Sequence, residues 1–187
     1  MDDEVHPTAV PGLVRRAREG DAGAWEALYR RAYPRLLAYA TRRLPGAEAA
    51  QDAVSEAMVR AVNGIDRFRS EGAGFDAWLY GILRHVVLDA QGGRRRESAD
   101  PVPDIVDNEP LPLDRMLHQE EAGALRAAFG RLRSEDQELL ELRVVAGLPA
   151  EDAARVMGRR AGAVRMAQSR ALVRLRSLLE EETTGAD

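Results

Sequence analysis

The chain has no cysteine, only three histidines, and aromatic residues at 5%. Without cysteine there is no disulfide, no thiolate metal site and no cysteine nucleophile, and the chain suits a reducing compartment. The histidines, His6, His85 and His118, are scattered and lack ligand spacing, so neither a metal nor another cofactor is expected. There is no glycine-rich phosphate loop and no serine in a nucleophile elbow, so no catalytic set points to an enzyme. The most apolar stretch, "WLYGILRHVVLDA", is broken by Arg84 and His85 and is too short to span a bilayer. The opening "MDDEVHPTAV" lacks the basic and apolar regions of a signal peptide. These absences predict a cytoplasmic protein that does not insert in a membrane. Lysine is absent too: all 27 basic residues are arginine.

Strand signals are nearly missing. Apolar residues recur at three and four, so the chain reads as all-α. "GDAGAWEALYRRAYPRLLAYATRRLPG" opens on Asp21 as an N-cap, with Pro34 expected to kink or divide the helix. "AEAAQDAVSEAMVRAVNG" follows, with Val54, Met58, Ala61 and Val62 on one face. After the loop 63–74, "DAWLYGILRHVVLDA" forms another helix, ending at Gly92 and Gly93. Composition then changes. Residues 97–114 carry Pro101, Pro103, Pro110 and Pro112 and six acids with no arginine, which forbids a regular helix and reads as an extended tether. Fully drawn out it could reach roughly 60 Å.

Helices resume at about Arg115. "MLHQEEAGALRAAFGRL" places Leu117, Ala124, Leu125, Ala128 and Phe129 on one side, and "SEDQELLELRVVAG" begins with Ser134 and Gln137 at capping-box spacing. Gly147 suits a helix stop, and a short helix after Pro149 runs to Gly158. Short helix, turn and longer helix make the outline of a helix-turn-helix. The expected organisation is two small helical domains, 11–96 and 115–181, joined by the acidic linker 97–114, with flexible tails at 1–10 and 182–187.

The net charge is −4, yet residues 155–176 hold seven arginines and no acid. Arginine's planar fork suits phosphate. On a helical wheel Val164, Ala167, Ala171, Leu172, Leu175, Leu178 and Leu179 share a packing face. Opposite them, Arg165 and Arg176 mark one edge and Arg170 and Arg174 the other, with Met166, Ser169 and Val173 between. A helix in a major groove has this pattern: arginines toward the phosphate walls, short or apolar side chains toward the bases. Arg159 and Arg160 add positive potential at its start. A solvated surface helix is the plainer alternative. Glu48, Asp52 and Glu56 line one face of another helix, either as a solvated acidic face or as a docking surface for a basic partner. Phe68 stands between Arg67 and Arg69, either tucked on the core or free to stack on an unpaired base.

Taken in order, "GDAGAWEALYRRAYPRLLAYATRR", "AEAAQDAVSEAMVRAV" and "FDAWLYGILRHVVLD", followed by "LRSEDQELLELRVVAGLPAEDAARVMGRRAGAVRMAQSRALVRLR", resemble an extracytoplasmic-function (ECF) sigma factor of bacterial RNA polymerase. The resemblance covers about residues 13–180. It implies that 11–96 is sigma region two and 115–181 is region four. It implies that Asp52, Ser55 and Glu56 dock on the β′ clamp helices of the polymerase. It assigns Asn63, Arg67, Phe68, Arg69, Trp78, Arg84 and His85 to recognition and melting of the minus-ten element. Arg159, Arg160, Arg165, Met166, Ser169, Arg170 and Arg174 fall to the minus-thirty-five element. The tether would enter the polymerase channels, region four would meet the β flap, and an anti-sigma factor would hold both domains. Ser55 and His85 stand where the family usually has glutamine and asparagine, so promoter sequence does not carry over from relatives. The rival reading is a helix-turn-helix regulator acting without polymerase, with residues 1–90 as a sensor or dimerisation domain; the acidic helix and the lack of a ligand-pocket pattern argue against it.

Overall fold

A computed structural model describes residues 10–69, 74–94 and 123–184. The linker 97–114, Leu117, residues 1–9 and residues 185–187 lie outside the described residues. Two compact units are present, the first made mainly of residues 1–103 and the second mainly of 104–187. Every regular element among the described residues is helical.

In the first unit, α1 (Val10–Arg18) precedes α2 (Ala22–Thr41), α3 (Ala47–Gly64), a 3-10 turn (Ile65–Arg67) and α4 (Phe75–Arg94). Helix α1 starts inside the stretch read as a tail; it buries Val10, Val14 and Ala17 at helical spacing. Asp21 caps α2 as expected, its Oδ1 accepting from the Ala24 amide at 3.0 Å. Pro34 does not divide α2, which is continuous from Ala22 to Thr41. Pro34 is exposed, so the carbonyl it leaves unbonded one turn earlier is on the side open to water. Helix α3 packs against both α2 and α4. Its stripe of Ala50, Ala53, Ala57 and Ala61 is buried and permits close approach, while Val54 and Met58 fill the space between. Val62, expected on this face, is 47% exposed.

Residues 123–184 hold α5 (123–130), α6 (Ser134–Leu140) widening into a π-helical segment (Glu141–Val145), α7 (Ala150–Met157) and α8 (Ala161–Thr184). Leu132, Leu140 and Ala171 form a core with Phe129, Leu175 and Leu178 around it. Leu125 and Leu172, predicted to pack, are exposed at 46% and 44%. The capping box at Ser134 does not form: Arg133 is the N-cap residue, and no side chain caps the helix. Gln137 turns the other way and donates to the carbonyls of Phe129, Gly130 and Leu132 at 3.0, 3.1 and 2.9 Å, closing the end of α5. Gly147 (φ 68°) and Gly158 (φ 65°) occupy left-handed backbone and end the π segment and α7 where the sequence placed stops. Helix α8 continues to Thr184, past the boundary expected at 181.

Candidate nucleic-acid interface

Three surfaces carry the residues singled out from the sequence. The first is on α3. Asp52, Ser55 and Glu56 are all exposed, with Glu48 a turn before them. The Glu56 carboxylate accepts from Arg60 Nε at 2.8 Å, while Asp52 has no ion-pair partner among the described residues. The stripe continues into apolar residues that pattern reading missed. Val59 is 55% exposed, and with Trp25, Glu26, Tyr29, Met58, Val62 and Asn63 it borders a groove of about 350 Å3. The signal was present in the spacing: Val59 lies four residues after Ser55, and Asn63 four after Val59, on the same helical edge.

The second surface surrounds the end of α3. The Phe68 ring is only 5% exposed. It sits edge-on to Phe75 at 5.7 Å between centroids and tilted against Trp78 at 5.1 Å, with Phe75 and Trp78 themselves 5.7 Å apart. Burial among these rings is the arrangement of the core alternative for Phe68: three aromatic side chains spaced for mutual contact leave water more favourably together than one ring does in a loop. Arg67, Arg69 and Asn63 are exposed around it. Arg69 Nη1 donates to the Asp66 carbonyl at 2.9 Å. Trp78 and Arg84 are half-buried and His85 is exposed. His85 Nδ1 lies 2.7 Å from the Gly81 carbonyl, so this nitrogen carries the proton and Nε2 is the nitrogen left for an outside partner.

Arg31, which the sequence reading did not single out, donates from Nη1 and Nη2 to the two carboxylate oxygens of Asp76 at 2.6 and 2.7 Å. The bidentate pair raises the Arg31 pKa further and ties the first turn of α4 to α2.

The third surface is α8. Val164 and Ala171 are fully buried, and Met166 and Val173 are 66% and 64% exposed, so the wheel orients the helix correctly. Ser169, Arg165, Arg170 and Arg176 share the exposed side. The arginines are not equivalent, however. Arg159 pairs with Glu135 at 2.7 Å, Arg165 with Glu151 of α7, and Arg174 with Asp136 of α6 at 2.7 Å. Arg174, which the wheel sets at the phosphate-facing edge, meets the carboxylate with the least exposure of the three. Arg160, Arg170 and Arg176 have no ion-pair partner among the described residues. Gln168, also unnoticed in the sequence, accepts from Arg143 Nε at 2.8 Å and joins the π segment to α8.

Residues 28–97 match the family profile described as Sigma-70 region 2, and residues 122–175 match Sigma-70, region 4. The ECF RNA polymerase sigma factor ShbA of Streptomyces griseus is 35% identical over 191 residues, covering 96% of this chain and 99% of its own. The ECF RNA polymerase sigma factor BldN of Streptomyces coelicolor is 34% identical over 173 residues, covering 91% of this chain and 66% of its own. Among solved structures, the sigma factor RpoE in complex with the anti-sigma factor NepR from Bartonella quintana aligns at a TM-score of 0.67 and 25% identity. That alignment covers 83% of this chain and 96% of the other.

Proposed function

The chain belongs to the ECF sigma factors of RNA polymerase, and on that premise we infer that it docks on core polymerase through α3 and reads promoter DNA with one surface of each unit. It is an alternative sigma factor: it directs transcription initiation by lending sequence choice to the polymerase and carries no chemistry of its own. The observation that supports the docking role best is the continuous stripe on α3, where exposed Asp52, Ser55 and Glu56 run into the apolar groove at Val59 and Val62. An acidic edge beside an apolar one suits a basic, amphipathic helical partner, with charge setting register and apolar area supplying affinity. The β′ clamp helices fill that role in this reading.

On the DNA side, α8 offers Met166, Ser169 and Val173 toward bases, with Arg165 and Arg170 at the flanks and Arg159 and Arg160 at the helix start. Arg159, Arg165 and Arg174 each pair with an acid and would have to exchange it for DNA, and Arg174 has the most buried of the three partners in Asp136. In the first unit Asn63, Arg67, Arg69, Arg84, Trp78 and His85 remain as minus-ten candidates; Phe68 serves as the aromatic base beneath them. An anti-sigma factor is the expected inhibitory partner, as NepR is for RpoE. No described helix is long and apolar enough to cross a membrane, and the cytoplasm, where the polymerase works, is the proposed location.

Transcription from a randomised duplex pool tests the reading. With this chain added, core polymerase should select a two-element promoter with both elements at constant spacing. A core that selects no sequence beyond what it selects alone contradicts it.

A further inference from the structure

Arg18, the last residue of α1, reaches across the first unit to a segment 47 and 50 residues further on. Its Nε donates to the Ile65 carbonyl at 3.1 Å, and its Nη2 donates to the Phe68 carbonyl. Its guanidinium carbon lies 5.7 Å from the centroid of the Phe68 ring. These carbonyls belong to the 3-10 turn that ends α3 and to the residue after it; the Ile65 carbonyl also accepts from the Phe68 amide at 3.1 Å, and Arg18 adds a second donor. A cation at a helix C-terminus also meets the negative end of the helix dipole. Only arginine has a fork that can serve two carbonyls and lie over a ring together. No carboxylate pairs with Arg18 among the described residues, so its charge is directed at this turn alone.

The consequence is geometric. Arg67 and Arg69 are the exposed cations of this segment, and they flank a residue whose ring and carbonyl are both held. Phe75 and Trp78 hold the ring from the α4 side, and Arg18 holds the carbonyl from the α1 side. With both contacts made, Arg67 and Arg69 leave the surface from a defined backbone. Without Arg18 the rings still pack, but the turn keeps only its own Phe68-to-Ile65 amide bond and the contacts of Arg69 with the Asp66 and Phe68 carbonyls.

We propose that Arg18 is a positioning residue for promoter melting: it fixes the turn Ile65–Arg67 and Phe68, so that Arg67 and Arg69 meet the separating strand in one geometry. This rests on the reading of the first unit as the minus-ten domain. A pre-set cationic edge matters most while the duplex must still be opened, because ordering the turn then costs free energy at the slow step. Once the strands are apart, the cost is smaller relative to the contacts made.

The test uses holoenzyme reconstituted from core polymerase and the full chain carrying Arg18→Met or Arg18→Lys. One template is a duplex selected from the randomised pool by the wild-type holoenzyme; the other is the same duplex made non-complementary across the element nearer the start site. Arg18→Met should lower initiation on the duplex about tenfold, the scale of one or two lost charged hydrogen bonds, and change the pre-opened template less than about twofold. Arg18→Lys, which can serve one carbonyl, should fall between Arg18→Met and wild type on the duplex. Core affinity should be unchanged in both variants. Equal losses on the two templates, or none on either, overturn the proposal, as does loss of core binding by both variants, which would make Arg18 a residue of the fold. A wild-type factor that selects no duplex overturns the functional reading instead, and the proposal falls with it.

Discussion

Arg174 and Asp136, 38 positions apart, meet in the second unit with Nη2 2.7 Å from Oδ2. The carboxylate is nearly buried, at 8% exposure, and Arg133 Nε approaches the same oxygen at 3.9 Å. The pair joins α6 to α8 beside the Leu132, Leu140 and Ala171 core. Removing one partner of such a pair leaves a desolvated charge. Arg174→Ala should therefore destabilise the second unit by about 1–3 kcal/mol, less than for a fully buried pair because Arg174 is half-exposed and Arg133 remains. Hydrogen exchange of the full chain should show it as lost protection in α6 and α8. A variant that keeps its protection and instead weakens binding to every duplex would return Arg174 to the phosphate edge.

Arg170 and Arg165 divide by role on the exposed side of α8. Arg170 is unpaired among the described residues, and Arg170→Ala should weaken binding to all DNA alike and lower the magnitude of the salt slope by about one. Arg165 must leave Glu151 to reach a base edge. Arg165→Ala should cost roughly 1–3 kcal/mol on the selected duplex and relax the choice of base, whereas Glu151→Gln should raise affinity for scrambled DNA. Anisotropy titrations of the holoenzyme on selected and scrambled duplexes across a salt series measure all three.

Phe68→Ala opens a void between Phe75 and Trp78. The expected cost is about 3–5 kcal/mol, the range for truncating a buried aromatic residue. Urea denaturation followed by Trp78 and Trp25 fluorescence should show the first unit unfolding earlier. Unchanged stability with a loss confined to duplex templates would mean that the ring leaves the core to stack on DNA.

Asp21 supplies a pH response. The Ala24 amide and the Arg16 guanidinium hold its carboxyl below the ordinary aspartate value. A folded pKa lower than the unfolded one contributes stability above the unfolded value, and the contribution disappears as pH falls through the folded value. Asp21→Asn keeps a capping oxygen but no charge, so its unfolding midpoint should vary less than wild type's between neutral pH and the acid side of the aspartate range. Identical pH profiles would show that the cap carries no electrostatic contribution.

Much of this organisation is legible without coordinates. The helix-turn-helix outline rests on Pro149, Gly158 and the spacing of Val164, Ala171 and Leu175, which are local constraints that tertiary packing does not reverse. Helix α1 escaped because it is only nine residues long and carries Pro11 and Gly12 in its first turn, although Val10, Val14 and Ala17 fall at helical spacing; its burial depends on α2 arriving beside it. Arg18 and Arg31 escaped for a related reason. Their partners lie 45 to 50 residues away, and nothing in local spacing marks an arginine that will bond to a distant carbonyl or carboxylate. Gln137 matched the capping box, in which its Oε1 would accept one backbone amide, but its Nε2 instead donates to three carbonyls at the end of α5. On α8 the wheel separated buried from exposed positions, and it could not show that acids on α6 and α7 would claim some of the arginines.

The central claim is that α3 is the polymerase-binding surface of a sigma factor. Gel filtration of the full chain with core RNA polymerase, without DNA, tests it most directly when wild type is compared with the chain carrying both Asp52→Arg and Glu56→Arg. Wild type should co-elute with core at one copy per polymerase, and the double variant should lose at least about tenfold in affinity, on the order of 1.4 kcal/mol, with its helical content unchanged because exposed charges contribute little to folding. Wild type eluting apart from core, or a double variant that binds as tightly as wild type, would contradict the account.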